Sequence, residues 1–280
     1  MTADLLTAMC HLGHLATVQQ LRSLGATKRA LASALADGWV RRAARGIYVC
    51  HHIDGDLMRA AQVGGQVDCV TSLDRHSVWS GIEQPGLHLR VRPHHHLKRP
   101  APGSIVHWSA PHYRSSSPLE VSHVDALLQA ITCLPPNDAL ASVESALHKE
   151  FIDEDDFAQL ILRAPERLHS ILAKLDRGAQ SGYETHTRLR LVHAGFRVRT
   201  QFKVPGAGHI DLLVNGCVGV ETDGEKWHGP ERFLPDRTKD ISVEGNAIRV
   251  LRIARPHIFD SWPTTLATIR RMVNDAESGR

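Results

Sequence analysis

The sequence lacks the features that mark membrane, secreted and disulfide-rich proteins. No apolar run approaches the ~20 residues needed to cross a bilayer. The N-terminus, MTADLLTAMCHLGHL, has no charged segment ahead of an apolar core, so we expect a cytoplasmic protein with no secretory signal and no membrane partner. The five cysteines are scattered and form no C-x-x-C pair, which fits neither a disulfide framework nor a zinc finger and predicts buried thiols.

The chain also has little excess charge of either sign. Its formal net charge is only +3, which is too small to establish a nucleic-acid partner, so the distribution of charge matters more than the sum. A length of 280 residues predicts two or three folding units. The hydrophobic share of 42% is that of an ordinary globular protein.

The first segment, residues 1–55, has the pattern of a winged helix-turn-helix DNA-binding domain. Helices are predicted over residues 17–24 and 28–36, separated at Gly25, and GWVRRAARGIYV predicts a β-hairpin behind them. Residues 1–50 contain six lysines or arginines against two acids. Helix N-termini and wings meet phosphates in such domains, so we expect five basic residues to contact DNA: Lys28, Arg29, Arg41, Arg42 and Arg45.

The middle segment, residues 56–178, is predicted to be a basic α+β region followed by a helical connector. LHLRVRP and SIVHW predict a hairpin, and no acid occurs between Gly86 and Leu119. We therefore expect Arg90 and Arg92 to contact DNA. Start signals at Ser122, Asn137 and Asp153 predict three helices.

The last segment, residues 179–280, predicts the order α-β-β-β-α-β-α. Short connections between these elements imply one mixed sheet flanked by helices, which makes the chain α/β overall.

Carboxylates interrupt two apolar strands of this last segment, HIDLLV and CVGVETD. An acid in a buried strand carries a desolvation cost that a partner must offset. Glu221 and Asp223 share a strand face, and Asp211 on the neighbouring strand can meet them. Three oxygen donors suit Mg²⁺ or Mn²⁺, which activate water for phosphodiester hydrolysis.

The order of these residues resembles the PD-(D/E)XK nuclease superfamily, and its very-short-patch-repair-like branch most closely. The resemblance covers roughly residues 181–273 and implies a restriction-endonuclease-like fold with Mg²⁺-dependent endonuclease activity. Its motif positions correspond to Glu184 on the first helix, Asp211, the E-x-D-G at Glu221 and Asp223, His228, a D-R-x-x-D-like helix and a V-L-R strand at Val250, Leu251 and Arg252. The catalytic residues it implies are Glu184, Asp211, Glu221, Asp223 and His228, and Lys239 is a further catalytic candidate from the residues themselves.

Several of these residues have structural alternatives. Glu184 stands in S-x-x-E, which is itself a capping box, and Asp223 precedes Gly224 in a D-G turn signal. Asp223 also occupies the position of the motif lysine. Another residue must therefore stabilise the negative charge that develops at the scissile phosphate or transfer a proton there. The candidates are Lys226, His228 and Lys239, and we favour His228.

Two functions are consistent with the sequence. The first is a DNA-binding endonuclease acting in repair or in defence against phages and mobile elements. The second is a transcriptional regulator with an inactive nuclease-like fold, because residues 21–49 resemble the winged helix of AbiEi-type antitoxins. Either function implies DNA, most simply double-stranded, as the partner. Cutting both strands needs two active sites, which leaves a homodimer open beside a monomer.

Overall fold

The computed structural model describes residues 2–83, 86–94, 102–204, 208–223 and 248–279, and its architecture is mixed α/β. The chain divides into two compact units, residues 1–134 with 151–165 and residues 135–150 with 166–280. The sequence-based division at residues 55 and 178 stays a prediction, because compact packing and independent folding are different properties. Within the described ranges, no helix is long and apolar enough to span a membrane.

The N-terminal part of the first unit combines helices with a small antiparallel sheet. Thr27 caps the second of two consecutive helices, where its hydroxyl accepts a hydrogen bond from the Ala30 amide at 3.1 Å. Gly25, with φ of 83°, separates these helices as the sequence predicts. The sheet order is β1-β3-β2. The elements are α1 (Thr2–His11), β1 (Leu15–Thr17), α2 (Val18–Ser23), α3 (Lys28–Ala36), β2 (Val40–Ala44) and β3 (Ile47–Cys50).

Apolar side chains from every helix of this part pack with those of the sheet in one cluster. Met9, Leu21, Ala34 and Val49 are all fully buried in one cluster. Because such burial contributes about 1.5–3 kcal/mol for each large side chain, this cluster holds the three short helices on the sheet.

The rest of the first unit surrounds a second three-stranded sheet, in the order β4-β5-β6. Its elements are α4 (Gly55–Val63), β4 (Gln66–Val67), α5 (Cys69–Arg75), β5 (His88–Val91), β6 (Ile105–Trp108), α6 (His123–Cys133) and α8 (Glu154–Arg163). Helix α7 (Pro136–His148) lies between α6 and α8 in the sequence but belongs to the second unit. Ser122 and Asp153 cap α6 and α8 as predicted. Helix α7 already begins at Pro136, ahead of the expected start signal at Asn137, since proline suits a first helical turn.

The predicted hairpin of β5 and β6 is wrong. The two strands pair in parallel, with Leu89 opposite Val106 and Arg90 opposite His107. Antiparallel partners can be joined by a two-residue turn, whereas parallel partners need a connection long enough to return to the starting edge. Residues 92–104 provide such a connection, and alternation of side chains alone does not distinguish the two directions.

The second unit is built on a four-stranded mixed sheet in the order β10-β9-β8-β7. Strands β7, β8 and β9 are antiparallel neighbours, and β10 is parallel to β9. The elements, besides α7, are α9 (Glu166–Leu172), α10 (Gly182–His193), β7 (Val198–Val204), β8 (Gly208–Val214), β9 (Val218–Asp223), β10 (Arg249–Ala254), α11 (Arg255–Phe259) and α12 (Trp262–Ser278).

Apolar side chains cover both faces of the central strands. One cluster joins Leu212 and Val220 to Leu191 of α10 and Ile269 of α12. The opposite cluster includes Leu213, Ile210 and Val204. The carboxylates of β8 and β9 therefore emerge from strands that are otherwise buried, as the sequence predicts.

Candidate metal centre and nucleic-acid surface

The carboxylates of Asp211 and Glu221 lie on neighbouring strands where the pairing of β8 with β9 ends. The last registered pair is Leu212 with Val220, so Asp211 and Glu221 are the next residues on their strands. The Asp211 carboxylate accepts hydrogen bonds from the Thr222 amide at 2.9 Å and from the Thr222 hydroxyl at 3.3 Å. These bonds fix Asp211 against β9.

Glu221 is 9% exposed and lies beside the next strand. In the parallel register of β9 and β10 it is opposite Arg252, whose Nε lies 3.4 Å from the Glu221 carboxylate. A guanidinium thus stands at the acidic cluster on the strand that the nuclease resemblance identifies as V-L-R. Its position can compensate negative charge at these carboxylates.

Glu184 joins this cluster from the first turn of α10. Its side chain is 5% exposed and accepts hydrogen bonds from the Gln180 amide and from Gln201 Nε2, both at 3.1 Å. Burial, followed by the negative charge of Asp211, raises the pKa of Glu184 to about 7. The Ser181 hydroxyl caps α10 by accepting from the Glu184 amide at 3.2 Å, but the Glu184 side chain binds the Gln180 amide and not that of the N-cap Ser181, so the capping box is incomplete. The electrostatic coupling to Asp211 agrees with a role in the site.

Gln201 is a site residue that the sequence analysis missed. It lies opposite Asp211 on β7, between the registered pairs Thr200 with Leu212 and Phe202 with Ile210. Its φ of 44° is in the left-handed region, which costs a non-glycine residue of order 1–3 kcal/mol and concentrates at functional sites. A glutamine in a strand gives no sequence signal of this conformation.

Buried polar contacts hold the start of α10 in place. Arg188 Nη2 binds the Glu144 carboxylate of α7 at 2.6 Å, and the Thr185 hydroxyl donates to the same carboxylate at 2.5 Å. His186 Nε2 lies 3.0 Å from the Asp138 carboxylate, also on α7. Burial raises the pKa of Glu144 although Arg188 opposes this effect. These contacts explain how a helix with so many polar residues is buried and why Glu184 has a fixed position.

The other predicted site residues differ in placement. Asp223 ends β9, is exposed and is opposite Ala254 of β10, so it lies at the sheet edge rather than in the buried part of the cluster. His228 and Lys239 lie outside the described residues, as does Lys226, and their roles stay predictions. Among the described acids, Glu184 contacts Gln201 and interacts electrostatically with Asp211. Glu221 is paired with Arg252 on the neighbouring strand.

The predicted DNA contacts of the N-terminal segment are mostly on the surface. Lys28 and Arg29 are exposed in the first turn of α3, and Arg42 and Arg45 are exposed on β2 and the turn that follows it. Arg41 is half-buried and its Nη2 donates to the Ile53 carbonyl at 2.6 Å. Arg92, just after β5, is also exposed.

Arg90 differs from the other predicted contacts because it is buried. Its Nε lies 2.8 Å from the Asp68 carboxylate, and its Nη1 lies 2.9 Å from the Asp125 carboxylate. Arg90 is 5% exposed and both acids are fully buried. Its charge is neutralised inside the unit, which argues against the predicted contact of Arg90 with DNA.

Comparisons with known proteins give little further information. No family model matches the chain, and no curated protein matches it. One of the matching solved structures is the crystal structure of the Rv2827c protein from Mycobacterium tuberculosis, which is 12% identical. The match covers 66% of this chain and 80% of that chain with a TM-score of 0.31, and at that score it carries no argument about fold or function.

Proposed function

We propose that the protein is a DNA-binding endonuclease that hydrolyses phosphodiester bonds with Mg²⁺ or Mn²⁺ bound at Asp211 and Glu221. The observation that carries the proposal is that Asp211 and Glu221 follow the last registered pair of β8 and β9, and that the charge of Asp211 acts on the buried Glu184 of α10. Such oxygen donors suit hard divalent cations, and a bound cation would polarise a phosphate oxygen and supply a water nucleophile.

Residues around the carboxylates support this chemistry. Glu184 has a raised pKa because of burial and the charge of Asp211, and a bound cation would relieve that repulsion. Gln201 would orient Glu184, to which its amide already donates. Arg252 would stabilise the developing charge of the transition state in place of the motif lysine. This assignment corresponds to the PD-(D/E)XK resemblance, with a restriction-endonuclease-like fold for the second unit.

The N-terminal elements support DNA binding in the same proposal. Their order α-β-α-α-β-β, with β1 beside β3, suits a winged helix-turn-helix in which α3 is the recognition helix. Its exposed Lys28 and Arg29, together with Arg42 and Arg45 of the β2–β3 hairpin, would contact phosphates.

A second candidate function is a DNA-binding regulator, as in AbiEi-type antitoxins, with a nuclease-like scaffold. A specific observation favours it. Asp211 and Glu221 already have protein partners in Thr222 and Arg252, so part of the cost of their burial is compensated without a metal.

Nuclease assays on the full chain separate the two functions. Supercoiled, nicked, mismatched and single-stranded DNA are incubated with Mg²⁺ or Mn²⁺ and with wild type, Asp211→Asn or Glu221→Gln. Asp275→Asn, which changes an exposed acid on α12, is the matched control. We expect metal-dependent cleavage by wild type and the control and none by the two site variants. DNA binding without cleavage by any of the four proteins would support the regulator instead.

A further inference from the structure

Four of the five cysteines lie with histidines in two clusters of the first unit, which the spacing of the cysteines did not predict. The first cluster contains Cys10 at the end of α1, His14 in the following turn, Cys50 at the end of β3 and His52. One ligand atom of each residue lies within 4.8 Å of all the others. The fifth cysteine, Cys217, donates its thiol to the Val214 carbonyl in the second unit.

The separations in the first cluster approach those of a tetrahedral zinc site. Cys10 Sγ lies 3.6 Å from His52 Nδ1, and Cys50 Sγ lies 3.8 Å from the same nitrogen. Zn–S bonds of ~2.3 Å and Zn–N bonds of ~2.0 Å at tetrahedral angles place sulfur and nitrogen ligands about 3.6 Å apart. His14 Nδ1 lies 3.0 Å from Cys50 Sγ, so this ring would have to withdraw by about half an ångström.

The backbone is bent in a way that brings His14 to the cluster. His14 has a φ of 68°, in the left-handed region, and follows Gly13 with a φ of 74°. The bent segment is fixed because the Cys50 amide donates to the His14 carbonyl at 3.1 Å. Left-handed backbone at a non-glycine residue costs about 1–3 kcal/mol and is retained where the surrounding structure requires it.

We propose that Cys10, His14, Cys50 and His52 bind one Zn²⁺ that fastens α1 to the end of β3. Two thiols and two imidazoles form a donor set that suits Zn²⁺ rather than Mg²⁺. Binding replaces the two thiol protons, which are released to solvent as the two Zn–S bonds form, while neutral histidines contribute lone pairs. With four protein ligands the site would be closed, and its role would be to stabilise the N-terminal segment. This site does not depend on the proposed nuclease function.

The test measures metal in the full chain purified without chelators. Mass spectrometry of the metal content is compared between wild type and the Cys10→Ser/His52→Asn double variant, which changes one half-buried and one exposed ligand. His11→Asn, an exposed histidine next to Cys10, is the matched control. We expect the double variant to contain one Zn²⁺ per chain less than wild type and the control. Equal zinc in all three proteins, or a Cys10–Cys50 disulfide in native wild type, would overturn the proposal.

A measurement on wild type alone covers the case in which the double variant does not fold. Zinc is removed with EDTA and replaced with Co²⁺, which reports its ligands by absorption. We expect a thiolate-to-cobalt charge-transfer band together with the intense absorption bands of tetrahedral Co²⁺. We also expect the midpoint of thermal unfolding to fall when zinc is removed and to be restored by Zn²⁺ but not by Mg²⁺. Co²⁺ spectra without a thiolate band would refute a site of this composition.

A different observation carries a second site of the same kind. The second cluster contains Cys69, His88, His107 and Cys133, again with ligand atoms within 4.8 Å of one another. His88 is 5% exposed, its Nδ1 lies 3.0 Å from His107 Nε2, and its own Nε2 is buried with no hydrogen-bond partner. A buried ring nitrogen without a partner is costly, and a metal ion bound at Nε2 of His88 would satisfy it.

We infer that this second cluster also binds Zn²⁺, between α5, β5, β6 and α6. Cys133→Ser tests the inference, because Cys133 is the exposed member of the cluster. We expect Cys133→Ser to contain one Zn²⁺ per chain less than wild type. This loss is separate from the loss expected in the Cys10→Ser/His52→Asn variant. Unchanged zinc in Cys133→Ser, or a native Cys69–Cys133 disulfide, would contradict it.

Discussion

The raised pKa of Glu184 leads to a quantitative prediction about stability. A pKa of about 7 in place of 4.5 means that ionising this buried carboxyl costs about 3 kcal/mol of folding free energy. The folded protein holds the proton more tightly than the unfolded chain does. The contribution of Glu184 to stability is therefore complete below pH 4.5 and is lost as pH rises from 4.5 through about 7.

Glu184→Gln removes this titration and retains an oxygen that can accept the bonds from Gln180 and Gln201. Relative to wild type, the variant should gain about 2–3 kcal/mol in free energy of unfolding between pH 5 and pH 8 without metal. Urea unfolding followed by circular dichroism in EDTA measures the difference. Glu277→Gln, an exposed acid on α12, should show no such gain.

The metal-bound protein supplies a second test of the same reasoning. Burial is the larger cause of the raised Glu184 pKa, and the charge of Asp211 adds to it. A divalent cation at Asp211 and Glu221 would offset the second effect, so saturating Mg²⁺ should reduce the advantage of Glu184→Gln at pH 8 without abolishing it. If the free energies of unfolding of wild type and Glu184→Gln show the same pH dependence in EDTA, the idea that burial and Asp211 raise the pKa of Glu184 is refuted.

Three further predictions concern other charged residues. Replacing Arg90 with Met should destabilise the protein by about 3–5 kcal/mol in thermal or urea unfolding, because it leaves two buried carboxylates without their cation. The Arg42→Ala/Arg45→Ala variant should weaken DNA binding and reduce the slope of log affinity against log salt by about 0.9 for each phosphate that is no longer neutralised, as measured by fluorescence anisotropy. An unchanged slope would remove the hairpin from the interface. Arg252→Ala should slow metal-dependent cleavage on the order of 10²-fold with partial recovery in Arg252→Lys, and equal rates for all three proteins would exclude a transition-state role.

The sheet of the second unit could be predicted because its strands carry strong local signals. Apolar period-two runs identify β8 and β9, and acids inside such runs are visible without coordinates. Since the two strands are joined by a short turn, Asp211 and Glu221 had to lie near one another. The contribution of Glu184 was harder to predict, because S-x-x-E has the same pattern whether or not its glutamate faces a site.

The features that sequence reasoning missed all depend on the packing of residues that are far apart in the chain. Arg90 belongs to a stretch without acids, and its partners Asp68 and Asp125 come from other elements, so composition indicated an exposed basic patch where the fold forms a buried ion pair. The Cys50 and Cys10 thiols approach one another only because β3 returns beside α1. Left-handed backbone at Gln201 is likewise a consequence of tertiary structure.

Binding of Mn²⁺ tests the central claim most directly, because electron paramagnetic resonance detects the free ion and its disappearance on binding. The measurement uses zinc-loaded full chain, so that soft-metal sites are already filled. We predict one Mn²⁺ site in wild type and in Asp275→Asn, lost in both Asp211→Asn and Glu221→Gln. Mn²⁺ binding of equal strength in all four proteins, or no binding by wild type, would contradict a metal centre at these carboxylates.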